Sequence, residues 1–247
     1  MQKENIITIL ASVILSVLVC AVTTSGNKTA TTTTAPKNIG ESIEAYLKEN
    51  PMIIRETLEL AAQKEQEEAE RRIAESYKAN LDELNNAENS PFVGPKDAKI
   101  TIVEFFDFNC GYCKRLAPAL LKIIKENPDV KVVFKPVGFL GPTSQTSAKA
   151  LLAAAQKGKF FELYEGLLTF NGRITEEVID EQIKKAGLDV EEIKKLMNSD
   201  KVNKNFEEIA ILSQKVEVRG VPTLIINGKP LRAIDFDPIQ NAINNLK

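Results

Sequence analysis

The segment Ile100-Thr101-Ile102-Val103-Glu104-Phe105-Phe106-Asp107-Phe108-Asn109-Cys110-Gly111-Tyr112-Cys113 decides how the rest of the chain is read. Its first half is a near-continuous apolar run of strand length, as expected of a strand covered on both faces. Leu116, Leu120, Ile123 and Ile124 then keep helical spacing, and Pro118 is expected to kink that helix. A second buried strand follows in Val130-Lys131-Val132-Val133-Phe134. Strand, helix and strand make a βαβ unit, with the cysteines in the turn at the carboxyl end of its first strand.

That placement carries chemistry. The thiolate, not the thiol, attacks a disulfide, and the unpaired N–H groups at a helix start favour a negative sulfur. Cys110 takes that position, and Cys113, one turn further in, is the natural resolving thiol. The pair would cycle between dithiol and disulfide without a cofactor. Zinc is a poor alternative: cysteine occurs only at positions 20, 110 and 113 and histidine nowhere, so a four-ligand site has no complement of donors. Two soft thiolates do suit Cu(I), which stays open as a second reading. A purely structural disulfide would close so short a loop that it would stabilise little.

Composition removes other classes. Thirty-two basic and 34 acidic side chains give a net charge of -2, so no basic excess points to nucleic acid. The absence of histidine excludes Ser-His-Asp and Cys-His catalysis.

Working toward the N-terminus, residues 39–89 read as helical. Ile39, Ile43 and Leu47 repeat at four-residue spacing, Asn50-Pro51 ends one helix, and a second runs over about residues 51–84 behind a thin apolar stripe. At ~1.5 Å per residue that second helix would reach about 50 Å, farther than a small domain needs. It is either a solvated connector or an oligomerisation arm; a stripe too thin to bury itself alone favours the arm. Residues 22–38 form a Thr-rich linker. Residues 6–22 are apolar except for Thr8, Ser12 and Ser16 and follow Lys3, the pattern of an export signal. Cleavage after Ala21, an uncleaved membrane anchor and lipidation of Cys20 are the three versions, the run lying near the ~17–25 residues that span a bilayer. All three place the remainder in an extracytoplasmic, periplasm-like compartment.

Toward the C-terminus, residues 142–216 show only helical patterns, punctuated by Gly158, Gly172 and Gly187, with Thr143 or Ser144 and Thr175 as caps. Thr223-Leu224-Ile225-Ile226 and the turn Asn227-Gly228 suggest a hairpin, followed by a terminal helix over about residues 238–246. The α/β fold is thus interrupted: residues 90–141 and 217–247 flank a helical insertion.

The run from Glu104 to Cys113, Pro118 beyond it, and Gly220-Val221-Pro222-Thr223 before a late strand resemble the bacterial DsbA-type thioredoxin-fold oxidoreductases over residues 92–247. Tyr46-Leu47-Lys48-Glu49-Asn50-Pro51 and the helices around it are similar to the ScsC-like branch, some of whose members assemble through this region. The resemblance implies a thioredoxin fold with an inserted helical domain, Cys110 as nucleophile and Cys113 as resolving cysteine. It implies that Val221-Pro222 is a cis-proline turn pairing with an extended substrate, and that Glu104 is a buried acid relaying a proton for Cys113. A solvent-exposed strand-end carboxylate is the alternative for Glu104. Its partners would be cysteine-bearing client proteins and a membrane redox partner.

Direction of exchange is divided. The spacer Gly111-Tyr112 resembles that of DsbC-type isomerases, whereas Val221 before the proline matches many DsbA-type oxidases. An oligomeric arm holding several sites around one client favours the isomerase or reductase.

Overall fold

The computed structural model describes residues 38–86, 88 and 90–247. The export signal, Cys20 and all of the Thr-rich linker but Asn38 lie outside these residues. Among the described residues no helix is long and apolar enough to cross a membrane.

The chain divides into two compact units between Glu59 and Leu60. In the first, helix α1 (Ile39–Glu49) starts at Asn38, whose side chain accepts from the Glu41 N–H at 2.9 Å. Helix α2 (Met52–Ala79) begins in the same unit. Here Ile39, Ile43, Tyr46, Met52, Ile54 and Leu58 are all exposed, and α1 buries none of its residues.

The second unit holds the sheet. The inner part of α2 ends at Asn80, and a short α3 (Leu81–Asn85) follows, so the long helix read over residues 51–84 is broken once. Asn80 turns its amide back to the Ser76 carbonyl, the local competition that makes Asn a helix-ender. Tyr77 and Leu84 lie in the hydrophobic core. Strands β1 (Phe92–Val93), β2 (Ile100–Phe106), β3 (Val130–Pro136), β4 (Thr223–Ile226) and β5 (Lys229–Leu231) form one mixed sheet in the order β1-β3-β2-β4-β5. β2 and β3 run parallel, with Glu104 beside Phe134 and Phe105 beside Lys135; β4 is antiparallel to β2. Both central strands are buried along their whole length, as their largely apolar runs lead one to expect.

Helix α4 (Gly111–Glu126) joins β2 to β3, continues through Pro118, and packs against the terminal helix α10 (Phe236–Asn244). Between β3 and β4 lie α5 (Pro142–Gln156), α6 (Phe160–Leu168), α7 (Glu176–Lys185), α8 (Val190–Met197) and α9 (Asp200–Lys215). Thr175 caps α7, but α5 starts from Gly141 with Pro142 in its first turn rather than from Thr143 or Ser144. Proline needs no N–H there, which leaves the Ser144 hydroxyl for another partner. Asn227 and Gly228, both with positive φ, close the β4–β5 hairpin.

Candidate active site

The strand-to-helix turn is built by Asp107. Its carboxylate, fully buried, accepts from the Asn109 N–H at 2.8 Å, the Ser144 hydroxyl at 2.7 Å and the Leu140 N–H at 3.1 Å. Its carbonyl accepts from the Cys110 N–H at 3.0 Å. Asn109 extends the frame: its amide nitrogen donates to Thr143 and Ser144, and its side-chain oxygen accepts from the Ile174 N–H. Two stretches of the helical insertion are thereby tied to the residue preceding Cys110.

Cys110 is the N-cap of α4, and Cys113 sits one turn inside it. Both are free thiols. They differ in exposure: Cys110 keeps 7% of its surface and Cys113 none. Tyr112 between them is exposed. The Cys110 thiol donates to the Val221 carbonyl oxygen at 3.2 Å across 111 positions of sequence. The Val221–Pro222 peptide bond is cis. The turn before β4 thus reaches the cysteine at the end of β2, because β4 pairs with β2.

Beneath the pair, Glu104 is wholly buried, so the exposed alternative for this carboxylate is excluded. Burial pushes its pKa up to about 8, against a hydrogen bond from the Tyr164 hydroxyl, which donates to Oε2 at 2.8 Å. Oε1 has no hydrogen-bond partner among the described residues. Burial also pushes the Cys113 thiol far up, and the charges of Glu104 and Cys110 push the same way. Tyr164, itself fully buried, is raised by burial and by the neighbouring Glu104. Its ring is wedged edge-on against Phe106 and Phe134, which fixes where its hydroxyl points.

All seven residues singled out from the sequence are accounted for: Cys110, Gly111, Tyr112 and Cys113 on the helix start, Val221 and Pro222 against Cys110, and Glu104 below Cys113. Tyr164 was not among them. No local pattern marks it, since a tyrosine in an apolar helix reads as core.

The model of the DSBA-like thioredoxin domain family matches residues 101–246. The chain belongs to that family. Among solved structures, a linker-deletion mutant of ScsC from Proteus mirabilis is 27% identical, with a TM-score of 0.69 over 86% of this chain and 98% of that one. Disulfide bond formation protein D of Bacillus subtilis is 27% identical over 169 residues, 62% of this chain and 75% of its own length. Na(+)/H(+) antiporter NhaA 3 of Salinispora tropica is 26% identical over 138 residues, 55% of this chain. That match spans only 21% of the antiporter's length.

Proposed function

We propose that this protein is an extracytoplasmic thiol:disulfide oxidoreductase that exchanges disulfides with client proteins through Cys110 and Cys113, acting as an isomerase or reductase within a homo-oligomer. The observation that carries the chemistry is the 3.2 Å contact between the Cys110 thiol and the Val221 carbonyl. It sets the more accessible sulfur beside a stretch of backbone where an extended client can lie.

In the first step the Cys110 thiolate attacks one sulfur of a client disulfide. A new sulfur–sulfur bond joins Cys110 to the client, and the other client sulfur leaves as a thiolate. For isomerisation, a second client thiolate attacks the client sulfur of this mixed disulfide, forming a new client disulfide and returning Cys110 as thiolate, with no net electron transfer. For reduction, Cys113 gives up its proton and attacks Cys110. The client then leaves as a dithiol with two electrons, and Cys110–Cys113 becomes a disulfide that a membrane redox partner must reduce.

Glu104 serves the second route. A thiol raised as far as that of Cys113 attacks only if its proton has somewhere to go, and Oε1 of the adjoining carboxylate is without a hydrogen-bond partner among the described residues. Tyr164 holds the other oxygen and sets the orientation.

The arm rests on the exposed apolar side chains of residues 39–58, which further copies of the chain would cover. The opposing reading, a monomeric oxidase, is favoured by Val221 before the proline. The deciding experiment compares residues 22–247 with a chain starting at Leu60, which keeps Tyr77 and Leu84 in the core. The longer chain is expected to be oligomeric and to rescue a client with scrambled disulfides. The shorter should be monomeric and lose rescue while retaining simple exchange. Two monomers, with efficient oxidation and no rescue, would establish the oxidase.

A further inference from the structure

A groove of about 640 Å³ opens beside Tyr112 of the cysteine motif and is not made by the sheet and its loops alone. It is lined by Tyr112 and Pro222, by Leu231 and Arg232 of the hairpin, and by Ile73 and Tyr77 of α2. We propose that the inner part of α2, residues 60–79, is one wall of the client groove, and that Ile73 is a specificity-determining residue contacting the client segment next to the reacting cysteine. This rests on the exchange reading above and adds to it a surface that neither the cysteine motif nor the cis-proline turn contains.

The occupant follows from continuity. A client sulfur bonded to Cys110 sits beside Tyr112 and the Val221–Pro222 turn, both of which line the groove, so the chain on one side of it must leave along the groove or turn straight into solvent. The wall it meets there is apolar, since Tyr77 is buried and Ile73 is half-buried against the core. The charges around it are already engaged: Glu217 with Arg72 and Arg219, and Arg232 with Glu70. The segment that fits is therefore extended and apolar rather than acidic or basic, the kind an unfolded client exposes.

The wall is also fastened to the turn that it serves. Arg72 makes a two-pronged bond to Glu217 at 2.9 and 3.2 Å, and the Ser76 hydroxyl donates to the Lys215 carbonyl at 3.2 Å. Glu217 occupies the residue after the C-cap of α9, with φ of 54°. The Glu217 and Val218 N–H groups bond back to the Gln214 and Ser213 carbonyls, the pattern that ordinarily selects glycine at this place. A glutamate here accepts backbone strain, and its carboxylate is what ties α2 to the start of the Val221–Pro222 turn.

The experiment uses a decapeptide with one cysteine flanked by leucines, presented to the reduced protein as its mixed disulfide with glutathione; glutathione disulfide is the short control. Ile73→Ser should raise the half-saturating peptide concentration about fivefold or more, with the limiting rate and the reaction with glutathione disulfide unchanged. Ile73→Leu should restore saturation. An unchanged half-saturating concentration in Ile73→Ser, or a parallel slowing of both substrates, would overturn the assignment. A wild-type protein that reacts with neither substrate would instead overturn the exchange reading, and this wall with it.

Discussion

Glu104 and Lys135 stand on neighbouring parallel strands, one register step apart, and therefore on opposite faces of the same sheet. Both are buried, and burial moves both to about 8, the carboxyl from below and the ammonium from above. Their company differs. Glu104 shares its face with Tyr164 and contributes to the raised thiol of Cys113, while the Lys135 ammonium donates to the Ser90 hydroxyl at 3.0 Å, far along the chain from either cysteine. A perturbed group in a core is thus no sign of function by itself; what it can exchange a proton with decides.

The largest expected effect is on the stability difference between the faces. Glu104 has a folded value above its ordinary 4.5, so its contribution is intact below about pH 4.5 and is lost as pH rises through 8. Relative to wild type, Glu104→Gln should gain roughly 5 kcal/mol at pH 9 and almost nothing at pH 4, read from urea midpoints. Lys135 has the opposite slope, because its folded value lies below 10.5: wild type should gain stability as pH rises from 8 to 10.5, a gain missing in Lys135→Met. Equal pH slopes in the two variants would break the comparison.

Exchange kinetics sharpen it. Glu104→Gln should slow resolution of the mixed disulfide by about a hundredfold or more, the low end of the range for losing a positioned proton carrier. Lys135→Met should leave that rate within about twofold, since nothing places Lys135 in the path of the proton. Tyr164→Phe is the smallest change: it removes the hydrogen bond that holds the Glu104 value down, so the pH dependence of resolution should move upward while the rate well above its midpoint changes little. An unmoved profile would reduce Tyr164 to packing.

The same contrast explains what could be read from residues alone. The apolar runs over Ile100–Phe106 and Val130–Pro136 announce strands covered on both faces, and the cysteines at the end of the first announce the helix start, because these signals are local. Glu104 is marked by the resemblance to the DsbA-type oxidoreductases, but its partner is not: Tyr164 is sixty positions away, brought in by the packing of α6. Lys135 was passed over for a related reason, since a lysine at a strand end ordinarily points into water. The inner part of α2 was indistinguishable from the outer, for a thin apolar stripe looks alike whether its own domain or another copy covers it. The seating of Ile73 and Tyr77 against the core separates the two.

The most direct test of the account is covalent. Cys113→Ser removes the resolving thiol and leaves Cys110 with its contact to Val221. Incubated with a client carrying a disulfide, this variant should accumulate a mixed disulfide at Cys110 that dithiothreitol releases, whereas Cys110→Ser should accumulate none. Absence of the adduct from Cys113→Ser, or its presence in Cys110→Ser, would contradict the assignment of Cys110 as the attacking sulfur.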